Sequence, residues 1–105
     1  MPNSTPTTNA AHYKPAMACP WGEIQSSQLV APGIFFVQTA SHGGYRLTPN
    51  VYEQMPQHLR EYSFTKDQWF EEDCSWCAVV LAFPQHFNPA FVEAARQTEQ
   101  RNYKP

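Results

Sequence analysis

Proline sets the grain of this chain. It fixes its own φ, lacks an amide donor and pushes the preceding residue out of the helical region, so neither a helix nor an inner strand runs through one undisturbed. Ten prolines fall among 105 residues. Pro32 sits with Gly33 between two extended stretches, where proline fixes φ and glycine supplies the positive φ of a type II turn. Pro49, Pro56, Pro84 and Pro89 punctuate the second half. Such a chain is built from brief elements, and its length suits one domain with a modest core.

Residues 1–18 are rich in Pro, Ser, Thr, Asn and Ala and read as a disordered or loosely packed lead-in, with a single domain over residues 19–105. A half-exposed strand is expected over Glu23–Val30. The β-branched and aromatic run Ile34–Ala40 is the best strand in the chain, and Tyr45–Thr48 follows as a short third. Thr48-Pro49 starts a helix, with Thr at the cap and Pro at the first position; Pro56 interrupts it and leaves a further turn to Arg60. Phe64–Asp67 reads as a loop with Thr65 as a cap.

From Gln68 to Phe83 a main helix is expected. Trp69, Trp76, Val80 and Phe83 share one face, and Glu71, Glu72 and Asp73 complement the positive end of its dipole. Its second half is apolar all round, the mark of a buried central helix. Pro84 ends it. Asn88-Pro89 starts a final helix to about Gln100, with Phe91, Val92 and Ala95 facing the core. The expected fold class is α+β: a three-stranded antiparallel meander followed by a central buried helix and a C-terminal helix.

Seven basic and nine acidic residues give a net charge of -2. There is no basic stripe of the kind nucleic-acid binders carry, and too few carboxylates for a DNA mimic. No apolar run approaches the roughly 18 residues that span a membrane. The start has neither the basic head nor the apolar stretch of a secretory signal. Three cysteines, Cys19, Cys74 and Cys77, form no even framework of disulfides and suit a reducing compartment. The expectation is a cytoplasmic protein with no cofactor and no resident metal.

Two stretches are candidates for chemistry. In Ser41-His42-Gly43-Gly44, two glycines let the backbone approach a ligand and offer unshielded N–H groups to an anion, while His42 is a ligand, base or donor. The plainer reading is a hairpin turn. Glu71-Glu72-Asp73-Cys74-Ser75-Trp76-Cys77 admits a metal site, redox chemistry at the Cys-x-x-Cys, or a Cys74–His42 nucleophilic pair. The metal reading lacks a second ligand pair at zinc-like spacing. The plainer alternative has the carboxylates serving the helix dipole and both cysteines serving as small apolar residues.

With those residues in view, the chain resembles a family known only as an uncharacterised domain of unknown function, found in bacteriophages, plasmids and related mobile elements. The likeness runs through Pro20-Trp21-Gly22, Ala31-Pro32-Gly33-Ile34, Thr39–Gly44, Trp69–Trp76 and Phe83-Pro84. It implies a small accessory protein of a mobile element. The reading that follows is a non-enzymatic binder of a host or element-encoded protein, an inhibitor of a bacterial defence system being one version. The alternatives are a small metal- or Cys/His-dependent hydrolase using His42 and Cys74, and a nucleotide or anion binder using the Ser41–Gly44 turn.

Overall fold

Four strands form one antiparallel sheet, in the order β1-β2-β3-β4, in the computed structural model, which describes residues 19–63 and 68–104. They are β1 (Ser26–Ala31), β2 (Ile34–Gln38), β3 (Gly43–Leu47) and β4 (Trp69–Glu71). The expectations for residues 1–18 and for Thr65 lie outside the described residues. At the β1–β2 turn Gly33 takes φ 81°, and a Cβ there would collide with Val51 and lie 2.7 Å from the Thr48 hydroxyl. Glycine is therefore required twice over, for the turn and for the seating of the following helix.

The expected three-strand meander is present, but the sheet has a fourth member. Trp69-Phe70-Glu71 is a strand, not the first turn of the main helix, and pairs with β3 through Gly44↔Glu71, Tyr45↔Phe70 and Arg46↔Trp69. The cause is burial on both faces of β3, which demands a partner on its open edge. Two adjacent aromatics that both need burial are served by alternation: Phe70 points to the helices and Trp69 to the opposite face. A second correction concerns Gly43 and Gly44. They lie within β3, opposite Gln38 and Val37, and only Thr39–His42 remains as the connection.

The helices are α1 (Pro49–Gln54), α2 (Gln57–Arg60), α3 (Trp76–Ala82) and α4 (Pro89–Asn102), with a 3-10 turn at Pro84–His86. Each has a proline at or within two residues of one of its ends. Cys77, Ala78, Val79 and Val80 of α3 are fully buried. Ala78 and Val79 join Ile34, Tyr45, Leu47, Val51, Met55, Leu59, Phe70 and Phe83 in the main core. Cys77 and Val80 turn the other way, onto Val92 and Ala95 of α4. The expected central buried helix is thus real but begins at Trp76, and full burial of each of its two valines contributes roughly 1.5–3 kcal/mol.

Helix α4 is capped by Asn88, whose Oδ1 accepts from the Phe91 amide at 2.8 Å. Its buried stripe is Val92, Ala95 and Thr98. Phe91, expected in the core, is 37% exposed. On the far face of the sheet Phe35, Val37 and Trp69 pack with Cys19, Trp21, Ile24 and Leu29, and Trp21 meets Trp69 edge-on at 5.5 Å. Among the described residues no helix is long and apolar enough to cross a membrane.

Candidate functional site

The link from β4 to α3 is held by one carboxylate. Glu71 accepts hydrogen bonds from the backbone amides of Asp73 (2.7 Å), Cys74 (3.0 Å) and Ser75 (3.1 Å), and from the Cys74 thiol at 3.2 Å. The Ser75 hydroxyl accepts from the Glu71 amide at 2.7 Å. Glu71 therefore does for this turn what a capping side chain does for a helix, satisfying amides that have no other partner. Burial raises its pKa, but the bonds from Ser75, Asp73 and Cys74 together outweigh that and hold the carboxyl below its ordinary value. The acidic trio is not in the first turn of a helix as expected; Glu72 and Asp73 are exposed on the turn itself.

Cys74 faces away from the sheet, toward the C-terminal end of α4. The Tyr103 hydroxyl donates to its sulfur at 3.2 Å. Tyr103 stacks on Tyr62 with ring centroids 3.9 Å apart and planes within 7°, and the Tyr62 hydroxyl donates to Glu99 at 2.7 Å. Tyr62, Glu71, Asp73, Cys74 and Tyr103 line a cleft of about 380 Å³. Burial raises the Cys74 thiol above its ordinary value; the Tyr103 bond pulls it down, and the Glu71 and Asp73 charges push it up again. Burial, then Glu99 and Cys74, pushes Cys77 up to about 12. Burial also raises Tyr62 and Tyr103, reinforced by Glu99 in the first case and by Cys74 in the second. The site is a cluster of protonated thiols and phenols beside the Glu71 carboxylate.

The two candidate stretches do meet, across the β3–β4 pairing. The Glu72 amide donates to the Gly43 carbonyl at 2.9 Å, and Gly44 lies opposite Glu71. A Cβ on Gly44 would strike the Phe70 carbonyl, Trp21 at 2.6 Å and the Glu71 Cα at 2.8 Å, so close approach of strands accounts for this glycine. Neither Gly43 nor Gly44 takes a positive φ. Ser41 and His42 are exposed, and His42 closes its connection with Thr39: the Thr39 amide and hydroxyl donate to the His42 carbonyl at 2.8 and 2.9 Å. Among the described residues no hydrogen bond joins His42 to Cys74, and no three His, Cys, Asp or Glu side chains are grouped to hold a metal ion.

Sequence reasoning named Glu71, Asp73 and Cys74 but missed Tyr62, Glu99 and Tyr103. A signal existed for two of these. Val92, Ala95, Glu99 and Tyr103 follow at helical spacing, so the core-facing stripe of α4 carries a carboxylate and a phenol on its last turns.

No curated protein and no solved structure matches the chain. One family does, described as Domain of unknown function (DUF7007), and it matches residues 14–105. The expectation of an uncharacterised family agrees with this match, which spans the sheet, the helices and the thiol cluster; the chain belongs to that family.

Proposed function

We propose that this domain is a cytoplasmic protein-binding module, an accessory protein of a bacteriophage, plasmid or related mobile element that docks on a host or element-encoded protein. Inhibition of a bacterial defence system is the concrete version we favour. The supporting observation is an aromatic ridge whose crest reaches the surface. Phe91 is exposed and lies 4.9 Å from half-buried Trp76 and 5.8 Å from half-buried Phe87, and Phe87 leads inward to buried Tyr45 at 5.9 Å. Aromatics of this kind anchor interfaces because they bury much area for little lost side-chain freedom. The mobile-element setting rests on the sequence resemblance.

The test is capture by the tagged full chain from a lysate of a bacterial host, beside Phe91→Asp checked for unchanged circular dichroism. A stoichiometric protein retained by the wild type and lost from the variant supports the reading. Equal retention by both, or no retained protein, overturns docking through this ridge.

A further inference from the structure

We propose that Cys74 and Cys77 are a thiol–disulfide exchange pair, in which Cys74 reacts with a low-molecular-weight disulfide and Cys77 closes the internal bond. The inference is independent of the docking reading. It starts from the backbone. The Cys77 amide donates to the Cys74 carbonyl at 3.4 Å, an i to i+3 turn. Such a turn keeps the two Cα atoms within about 7 Å, near the span a disulfide bridges. Among the described residues no comparable contact brings Cys19 to the pair; it packs on the far face of the sheet with Trp21 and Trp69.

The two thiols differ in the way the two steps require. Cys74 is half-buried and lines the cleft of about 380 Å³, which gives a small disulfide access to its sulfur. Cys77 is 0% exposed and cannot meet an external reagent until Cys74 has done so. All three cysteines are free, so the dithiol is the form described. The groups facing the pair are Glu71 and Asp73 from β4 and its turn, Tyr62 after α2, and Glu99 and Tyr103 from α4. The Tyr103 hydroxyl, donating to the sulfur, supports negative charge on Cys74, while the Glu71 carboxylate, accepting the thiol's hydrogen bond, favours the protonated form.

The chemistry balances with the disulfide as oxidant. Cys74 loses its proton and attacks one sulfur of R–S–S–R; a Cys74–S–R bond forms, the S–S bond breaks, and R–S⁻ leaves with that proton as R–SH. Cys77 then loses its proton and attacks the Cys74 sulfur. The internal bond forms, the second R–SH departs, and the protein has lost two hydrogens and two electrons to the reagent. With Glu71 and burial opposing ionisation, the first step is slow at neutral pH and quickens about tenfold per pH unit below the thiol pKa.

Oxidised glutathione is the probe. The folded full chain is treated at pH 7 and pH 8, acid-quenched, alkylated and mapped by mass spectrometry. The wild type is expected to end with a Cys74–Cys77 bond and no lasting adduct on either residue. Cys77→Ser, with Cys77→Ala as a second form checked for native circular dichroism, is expected to stop at a glutathionyl group on Cys74. Cys74→Ser leaves Cys77 unmodified. Placed in the Cys77→Ser background, Tyr103→Phe forms the adduct severalfold more slowly at pH 8, because the bond to the sulfur is gone. A stable adduct on wild-type Cys74, modification confined to Cys19, or no modification of the folded chain overturns the proposal.

Discussion

Glu71 carries more of the local structure than any other side chain near the site. One carboxylate satisfies three amides and a thiol, so its removal frees several donors at once. Its pKa is lower in the folded state than its ordinary 4.5. By linkage, the stability it contributes is present above that value and is lost as pH falls through the folded pKa. Glu71→Gln is therefore expected to cost about 1–2 kcal/mol at pH 7, in the range of a lost cap. The deficit should shrink steadily below pH 4.5, where the wild-type carboxyl also becomes neutral. Urea titrations at a series of pH values measure this, and a deficit of constant size across the series would show that ionisation of Glu71 has no part in holding the turn.

At the scale of elements, β3 explains why the glycine pair is there. A methyl on Gly44 meets backbone on β4 and the ring of Trp21, whereas one on Gly43 meets the Glu72 carboxylate and the Val37 carbonyl, both at 3.2 Å. Gly44→Ala should cost about 1–3 kcal/mol or more, as over-packing does, and Gly43→Ala distinctly less. Equal losses in thermal unfolding would contradict the close approach. These two strands also mark the limit of what could be read from the chain. Proline placed the starts of α1 and α4 and the stop of α3, because its effect is local and needs no partner. Strand β4 was not legible: three residues are too few to display a period, and Trp69-Phe70 fits either a helix or a strand until β3 is known to be buried on both sides. Much the same holds for the site. Cys74 and Glu71 stood out by residue type, but their partners Tyr62 and Tyr103 reach them only because α4 folds back along α3, a contact that spacing along the chain does not encode.

Across the whole molecule, six neutral acids among the described residues share one tendency. Cys19, Cys74, Cys77, Tyr45, Tyr62 and Tyr103 are all raised, chiefly by burial. Each bears a proton in the folded state that the unfolded chain gives up earlier, so their contribution is complete below the unfolded values and is lost as pH rises through the folded ones. Stability should hold up to about pH 9 and fall steeply from there toward pH 12, the window set by the thiols and phenols. Cys77→Ala is expected to flatten part of that fall in denaturant titrations, and an unchanged slope would remove Cys77 from the account. The sheet has a different consequence. Its strands stand side by side in the order in which they leave the ribosome, β1 to β4. Two of the three pairings close over short turns, and only β4 must be retrieved across a segment of about twenty residues; since the entropy of such a closure grows with the logarithm of its length, each doubling adds only about 0.6 kcal/mol. The folding search therefore contains one distant appointment, between Gly43–Leu47 and Trp69–Glu71, and the thiol cluster takes shape when it is kept.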